Sequence, residues 1–297
     1  MVNEKHDFAS QPALFNWRPR AALRVTGEDS FTFLQGQFSN DLRELADRRA
    51  VDGLWLNHKG RVIADSFVYR VAPEEFWVGS YFCEAEVIRE RLEAFVIADD
   101  VSIENVTDQW HGVTLLGEQS EDLLAGVDGS FSFVGRRTQG PHREYVYPAA
   151  LESSIRSKLQ GLRELDAEEM DRLRIVDGIV AVPADIGPAE LPNEGGLETP
   201  AISFVKGCYL GQEVMARLKN MGQVRRRTMR VKVGVSLPQL PIDLFQGDRR
   251  IGDLRTVARA GDEFVGLALI SLLHLQRDAG MSLAPGGPVV VTVAEPA

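Results

Sequence analysis

The sequence contains little cysteine, and this excludes two classes of protein. Only Cys83 and Cys208 occur among the 297 residues. Two cysteines cannot form a disulfide framework, and they cannot supply a four-sulfur metal site. We therefore expect the chain to be stabilised by packing and to occupy a reducing compartment, the cytoplasm.

The sequence also lacks an apolar run long enough to cross a bilayer, which takes about 20 residues. The longest runs, residues 266–275 and 289–294, are much shorter. The first 24 residues have no apolar signal core and are not Arg- and Ser-rich, so we expect neither a secretory signal nor a transit peptide. The sequence shows no internal repeat, glycine-rich nucleotide-binding motif or metal-binding histidine pair.

Positive charge is in deficit overall but concentrated locally. There are 33 Lys+Arg and 43 Asp+Glu, a net charge of −10, which disfavours a protein that coats nucleic acid. Residues 214–242 nevertheless contain no acid, and we call the seven basic residues there the basic strip: Arg217, Lys219, Arg225, Arg226, Arg227, Arg230 and Lys232. Guanidinium groups bind oxyanions bidentately, so the strip predicts an anion or partner site. A solvated surface whose arginines pair with acids elsewhere fits equally well.

The hydrophobic pattern predicts an α+β region followed by an all-β region. We expect strands at 21–25, 54–57, 62–71, 76–80 and 112–116, with Gly60 in the hairpin turn between the second and third. We expect helices after Asp29, at 84–97, at 150–162, and from an Asp166 cap to Gly178. Residues 182–200 are too rich in proline and glycine for a regular element, and long irregular segments are often functional.

Short β-like runs from residue 229 onward predict a C-terminal antiparallel barrel or sandwich. We therefore predict an α+β unit over residues 1–220, containing a second subdomain near 50–110, and a C-terminal β-barrel over 225–297.

The segment with the clearest chemistry is residues 202–213. Cys208 lies between Gly207 and Tyr209, close to Lys206, and Gly211, Gln212 and Glu213 have the pattern of a helix start directed at the sulfur. A helix N-terminus and a lysine both favour thiolate over thiol, so we predict a functional cysteine. The alternative is a small buried hydrophobe, which we expect for Cys83.

Residues 206–213, Lys-Gly-Cys-Tyr-x-Gly-Gln-Glu, resemble the hallmark of the YgfZ family of folate-binding proteins, whose eukaryotic counterpart is the iron–sulfur assembly factor IBA57. Three further segments are similar to that family. They are Phe-Leu-Gln-Gly-Gln-Phe-Ser-Asn-Asp-Leu at 33–42, the Lys-Gly-Arg hairpin at 56–62, and Arg-Ile-Val-Asp-Gly at 174–178 with Pro183, Glu190 and Leu191.

The resemblance implies a fold like that of the glycine cleavage T-protein, an aminomethyltransferase with a central folate cavity and a C-terminal barrel. It implies tetrahydrofolate or a derivative as cofactor, with Asn40, Asp65, Glu190 and Arg217 as candidate contacts. Asp65 matches a carboxylate that faces the folate one-carbon unit, and Glu190 matches one that binds the pterin. An outward strand position for Asp65 and a solvent-facing loop position for Glu190 are the alternatives.

Our leading hypothesis is a folate-binding factor that assists iron–sulfur cluster assembly or repair, with Cys208 as its functional thiol and Lys206 beside it. A thiolate is a soft ligand suited to this chemistry, but one cysteine must share any cluster, so we expect no intrinsic metal. Arg225, Arg226 and Arg227 would hold the folate tail or an acidic partner. The expected partners are iron–sulfur assembly proteins and cluster-dependent enzymes, including tRNA-modifying ones, and direct tRNA binding is not expected.

Two other functions remain open. The first is a tetrahydrofolate-dependent aminomethyltransferase that uses Asp65 to orient the amine. The second is a non-enzymatic RNA or protein adaptor that depends on the basic strip. Whether the protein is an enzyme is not decided by the sequence.

Overall fold

The computed structural model describes residues 12–45, 50–121, 123–124, 126–237 and 239–294. The strands in chain order are β1 (Ala13–Trp17), β2 (Ala21–Thr26), β3 (Ala50–Leu56), β4 (Val62–Ala72), β5 (Glu75–Ser80), β6 (Ser102–Asn105), β7 (Trp110–Leu116), β8 (Phe131–Phe133), β9 (His142–Pro148), β10 (Arg163–Glu164), β11 (Arg226–Val233), β12 (Ile242–Gln246), β13 (Arg249–Ala260), β14 (Glu263–Ser271) and β15 (Val291–Val293). The helices are α1 (Ser30–Gln37), α2 (Ala85–Glu93), α3 (Glu152–Lys158), α4 (Ala167–Val176) and α5 (Gln212–Met221).

The first sheet, which we call the hairpin sheet, has the order β3-β4-β5-β2-β6 and is antiparallel throughout. The turn between β3 and β4 contains Gly60 at φ +70°, a conformation that favours glycine. Leu34 of α1 and Ile88 of α2 belong, with Leu23 and Val68 of the sheet, to the largest buried apolar core. Phe38, just after α1, contacts Trp55 of β3 with ring centroids 4.7 Å apart, which places the hairpin against the end of α1.

The second sheet, which we call the bridging sheet, has the order β10-β1-β7-β9-β8. Phe131 and Phe133 of β8 pack on Phe67 and Trp77 of the hairpin sheet, so aromatic side chains fill the space between the two sheets. A further core, which includes Ile155 of α3, lies against the bridging sheet. The two sheets therefore enclose the polar groups described below.

The third sheet, which we call the C-terminal sheet, has the order β12-β13-β14-β11-β15 and curls into an antiparallel half-barrel. Ser282 bridges to Phe245 of β12 while the adjacent Met281 bridges to Val291 of β15, so one segment links both edge strands. Helix α4 packs against β13 and β14.

The predicted α+β class with a C-terminal β-barrel is confirmed. The Asp166 capping box, in which Asp166 and Glu169 cap each other's backbone, starts α4 as predicted. The helices predicted at 84–97 and 150–162 are shorter, Ala85–Glu93 and Glu152–Lys158, because the last apolar residues of each pattern lie in turns. Strands β1, β6, β8, β9, β10 and β12 were not predicted.

The division of the chain at residues 220–225 stays a prediction; α5 ends at Met221 and β11 begins at Arg226. Within the two predicted units, the residues that the structure does not describe are 1–11, 46–49, 122, 125, 238 and 295–297. Over the part of the chain that is described, no helix has the length and apolar character needed to cross a membrane.

Candidate functional site

The hairpin turn and the cysteine segment, far apart in sequence, pack directly on each other. Gly211 precedes α5 with φ +87°, and a Cβ atom there would lie 2.8 Å from the carbonyl oxygen of Asn57 in the turn. A Cβ atom on Gly60 would lie 2.9 Å from Met215 Cε of α5. Glycine is needed at both positions because the two backbones approach closely. The two motifs therefore form one structural unit.

Lys206 anchors the cysteine segment to the end of α1. Its side chain is buried, and Nζ donates to the carbonyl oxygens of Gln35, Phe38 and Asn40 at 2.6, 2.7 and 2.9 Å. Burial lowers the pKa of Lys206 to about 8, although nearby Asp41 opposes that change. The ammonium is thus committed to three backbone acceptors.

Cys208 is exposed, which removes the alternative of a buried hydrophobe. Next to it, Gly207 has open space where a side chain would lie, and Tyr209 is buried with its ring 5.3 Å from Lys206 Nζ. The thiol is therefore accessible on a loop held from both sides. Cys83 is buried, as predicted, and this burial raises the pKa of its thiol well above the usual range.

The other motif residues frame this loop. Gln212 is the first residue of α5 and is half-buried, whereas Glu213 is exposed in the first turn. An acid in the first turn stabilises a helix through its macrodipole.

Asp65 lies in the interior, between the hairpin and bridging sheets. Its Oδ1 accepts from Ser80 Oγ at 2.9 Å and from Cys83 Sγ at 3.4 Å, and its Oδ2 accepts from Arg136 Nη2 at 3.1 Å. It is 7% exposed, so the outward position considered for Asp65 is wrong. Both oxygens are held, which makes Asp65 a fixed acceptor.

Asp52, a neighbour of Asp65, is not marked by any motif in the sequence. Asp52 on β3 faces Phe67 on β4, two residues from Asp65, so both acids point to the same side of the sheet. The Asp52 side chain is half-buried, and burial raises its pKa to about 7; Asp65 and Glu144 add to the rise, and Arg136 opposes it. In the sequence, the only feature that marks Asp52 is that it is an acid in an otherwise apolar strand.

Glu144 of β9 completes a group that we call the inter-sheet cluster: Asp52, Asp65, Arg136 and Glu144. Glu144 is fully buried; its Oε2 accepts from Thr114 Oγ1 at 2.7 Å, while Oε1 has no hydrogen-bond partner among the described residues.

Arg137 and Tyr81 lie beside the cluster and add further polar atoms that lack a hydrogen bond. Arg137 Nε is 3.7 Å from Glu144 Oε1, and the Arg137 guanidinium stacks 4.0 Å from the Tyr81 ring and 4.7 Å from Trp17. In the described part of the chain, Arg137 Nε and the buried Tyr81 hydroxyl also have no hydrogen-bond partner. Buried polar atoms are normally paired, so these suit a bound ligand or water.

A cavity of about 430 Å³ borders the cluster. Arg136 lines it and also binds Asp65, so Arg136 connects the cavity to the cluster. The other lining residues include Phe15, Phe82, Arg137, Met170 and Arg174. The volume is within the range of small-molecule sites, about 300–1,000 Å³.

Glu190 belongs to a separate network that joins the irregular segment to the C-terminal sheet. Its Oε1 accepts from Arg255 Nη2 and its Oε2 from the Gly187 N–H, each at 3.0 Å. Burial alone would raise the pKa of Glu190, but the bonds and charge of Arg255, with Gly187 and Arg226, hold it below its usual value. The solvent-facing position considered for Glu190 is therefore wrong.

The remaining predicted contacts are dispersed. Asn40 Nδ2 donates to the Asp52 carbonyl at 2.8 Å, so Asn40 borders the inter-sheet cluster. Arg217 is exposed on α5. Within the described residues, no hydrogen bond or ion pair joins Glu190 or Arg217 to Asp65.

The basic strip is partly neutralised. Arg226 Nε is 2.8 Å from Glu194 Oε1 and Arg227 Nη2 is 3.9 Å from Glu198 Oε1, whereas Arg225 is exposed. These ion pairs favour the solvated-surface interpretation for part of the strip and leave Arg225 available to an anion.

Comparisons with known proteins agree with this architecture. The GCVT N-terminal domain family matches residues 1–137. The chain is 23% identical to an aminomethyltransferase of Caldanaerobacter subterraneus subsp. tengcongensis (93% of this chain, 81% of the relative). It is 25% identical to the mitochondrial iron–sulfur cluster assembly factor IBA57 of Mus musculus (93% and 82%), and 24% identical to the tRNA-modifying protein YgfZ of Shigella sonnei (87% and 85%).

Among solved structures, the glycine cleavage system aminomethyltransferase T of Bartonella henselae superposes with a TM-score of 0.79. That match has 18% identity and covers 95% of this chain and 85% of the other. The fold is therefore that of a T-protein.

Proposed function

We propose that this chain, which is similar to YgfZ and IBA57 proteins and has the fold of a T-protein, binds a folate and assists iron–sulfur cluster assembly or repair. One observation carries the proposal: the exposed Cys208 lies on a loop anchored, through Lys206, to the same Asn40 that borders the inter-sheet cluster. Asn40 thus connects the loop that carries the Cys208 thiol to the buried polar site.

The residues at the cluster fit a folate. A pterin ring presents N–H donors and acceptor atoms on its edge, and the cluster offers Glu144 Oε1 as an acceptor beside the unpaired Arg137 Nε and Tyr81 hydroxyl. The adjoining cavity is large enough for an aromatic ligand. When bound, tetrahydrofolate would supply a carrier for one-carbon units. Asp65 would orient the ligand.

The other candidate contacts have different supporting roles in this proposal. Asn40 would shape the site through the Asp52 backbone, and Glu190 would fix the irregular segment. Arg217, exposed on α5, would contact only a part of the ligand that leaves the interior.

Cys208 would act at the surface. A thiolate is a natural ligand for iron–sulfur chemistry, and a single thiolate would share a cluster with a partner protein or a small thiol. Arg225 and Arg227, both exposed after α5, would attract an acidic partner surface. The proposed partners are iron–sulfur assembly proteins and cluster-dependent enzymes, including tRNA-modifying ones, in the cytoplasm.

Complementation tests this function. In a strain that lacks its own family member, the wild-type protein should restore the activity of cluster-dependent enzymes, and Cys208→Ala should not. The purified Cys208→Ala protein serves as its own control, because its tetrahydrofolate affinity and unfolding midpoint should match those of the wild type. Full rescue by Cys208→Ala would contradict the proposed role of the thiol.

A second candidate, a tetrahydrofolate-dependent aminomethyltransferase, is favoured by the buried, three-fold hydrogen-bonded Asp65 and by similarity to aminomethyltransferases. The purified protein would be incubated with tetrahydrofolate and an aminomethyl donor. Turnover that is lost in Asp65→Asn and kept in Cys208→Ala would support this candidate and count against the first.

A further inference from the structure

The carboxylate of Asp52 is the member of the inter-sheet cluster with no hydrogen-bond partner among the described residues. It is also half-buried rather than sealed, on β3 at the edge of the hairpin sheet. We propose that Asp52 is the residue that exchanges a proton with the bound ligand, and that the ligand presents a protonatable amine to it. The proton-exchange role stands on this geometry, whereas the identification of that ligand as a folate rests on the function proposed above.

Asp65, the carboxylate singled out by sequence, is poorly suited to carry this proton. Its two oxygens already accept from Ser80, Cys83 and Arg136. Protonating Asp65 would weaken a charged hydrogen bond to Arg136, and such bonds are among the stronger ones in proteins. Asp52 can gain or lose a proton without breaking a bond made by any described residue. The fixed anion and the proton carrier are therefore different residues on adjacent strands.

The charges that face Asp52 also favour a cationic ligand group. They come from Asp65 on β4, Glu144 on β9 and Arg136 before β9, with Arg137 and Tyr81 behind. With all acids ionised, three carboxylates face two guanidinium groups, a net charge of −1. A proton on Asp52 removes this excess charge, and so does an ammonium group on the ligand.

The proton transfer breaks one bond to hydrogen and forms another. The O–H bond of the Asp52 carboxyl breaks, the lone pair of a neutral amine nitrogen takes the proton, and an ammonium–carboxylate pair remains with no change in oxidation state. The reverse transfer returns the proton when the amine reacts or leaves. Burial, which raises the pKa of Asp52 to about 7, places this exchange within reach at neutral pH.

Two measurements on the full chain test the proposal. The first follows aspartate carboxyl carbons by ¹³C NMR from pH 4 to 9 in the wild type, Asp52→Asn and Asp65→Asn. We expect one aspartate to titrate near neutral pH in the wild type, to disappear in Asp52→Asn, and to persist at a lower pH in Asp65→Asn. A neutral-pH titration that survives in Asp52→Asn would overturn the assignment.

The second measures tetrahydrofolate affinity by tryptophan fluorescence between pH 5.5 and 8.5. Because a neutral amine must take up one proton to bind above pH 7, wild-type affinity should fall about tenfold per pH unit there, and the fall should be absent in Asp52→Asn. The same pH dependence in both proteins would refute the ligand part of the proposal. If the wild type binds no tetrahydrofolate at any pH, the folate function fails, and the carboxyl titration alone then decides the role of Asp52.

Discussion

Replacing Asp52 by asparagine should stabilise the folded protein, and by more at pH 8 than at pH 5. The pKa of Asp52 is about 7 in the folded protein, against 3.8 for an unperturbed aspartate. Between these values the folded state holds a proton that the unfolded state releases, so the free energy of unfolding of the wild type falls as the pH rises. Asparagine has no proton to lose, and its stability should not change in this way.

The magnitude follows from the same two values. Each pH unit corresponds to about 1.4 kcal/mol, so the full difference of about three units amounts to about 4 kcal/mol. Between pH 5 and pH 8 the gain of Asp52→Asn over the wild type should therefore grow by about 2 to 3 kcal/mol, with most of the growth below pH 7.

Urea unfolding followed by tryptophan fluorescence at pH 5, 6, 7 and 8 measures this growth. Asp248→Asn, a change in an exposed turn of the C-terminal sheet, is the matched control and should give the same small difference at every pH. A constant difference between wild type and Asp52→Asn across the range would refute the reasoning, because it would mean that Asp52 is ionised in both states.

Three further predictions concern the cysteine segment. Gly211→Ala should lower the free energy of unfolding, measured in urea, by about 1 to 3 kcal/mol, because the positive φ of Gly211 and the nearby hairpin backbone exclude a Cβ atom. The control Gly207→Ala, at a position with open space for a side chain, should change it by no more than about 0.5 kcal/mol. Lys206→Met should cost about 2 to 4 kcal/mol because three carbonyl oxygens lose their donor. The wild type should gain stability from pH 8 to 10, since the pKa of Lys206 is about 8 when folded and 10.5 when unperturbed, and Lys206→Met should lose that rise. Cys208→Ala should leave the unfolding midpoint unchanged, because the thiol is exposed, and equal reactivity of both proteins toward a thiol reagent would contradict the accessibility of Cys208.

Local signals predicted a large part of the fold. The Asp166 and Glu169 pair gave the start of α4, and Gly60 gave the hairpin turn, because caps and turns depend on residues a few positions apart. The bridging sheet was mostly missed. Its first strand β1 is held by β7, far along the chain, and β8 is only three residues long. A period-2 pattern over three to five residues is too short to distinguish a strand from a loop.

The candidate site likewise contains residues that could be predicted from local sequence and residues that could not. The exposed, flanked Cys208 could be predicted because the surrounding glycines and lysine are contiguous in sequence. Asp52 could not, since its character comes from strand pairing that sets it beside Asp65 and from Glu144, which belongs to another sheet. Likewise, Glu190 is paired with Arg255, 65 residues away. A perturbed titratable group is a product of the assembled fold, and a linear pattern carries little trace of it.

Asn40 shows how one motif residue can support two sites through its own hydrogen bonds. Its Nδ2 donates to the carbonyl oxygens of Asp52 and Pro200, while its Oδ1 accepts from the Asp41 N–H. An amide satisfies this pattern because it is a donor on one side and an acceptor on the other; an aspartate would place negative oxygen against two carbonyls. Since the Asn40 carbonyl also accepts from Lys206, one residue joins the strand that carries Asp52 to the loop that carries the thiol. Through these hydrogen bonds Asn40 supports two distinct polar sites at once.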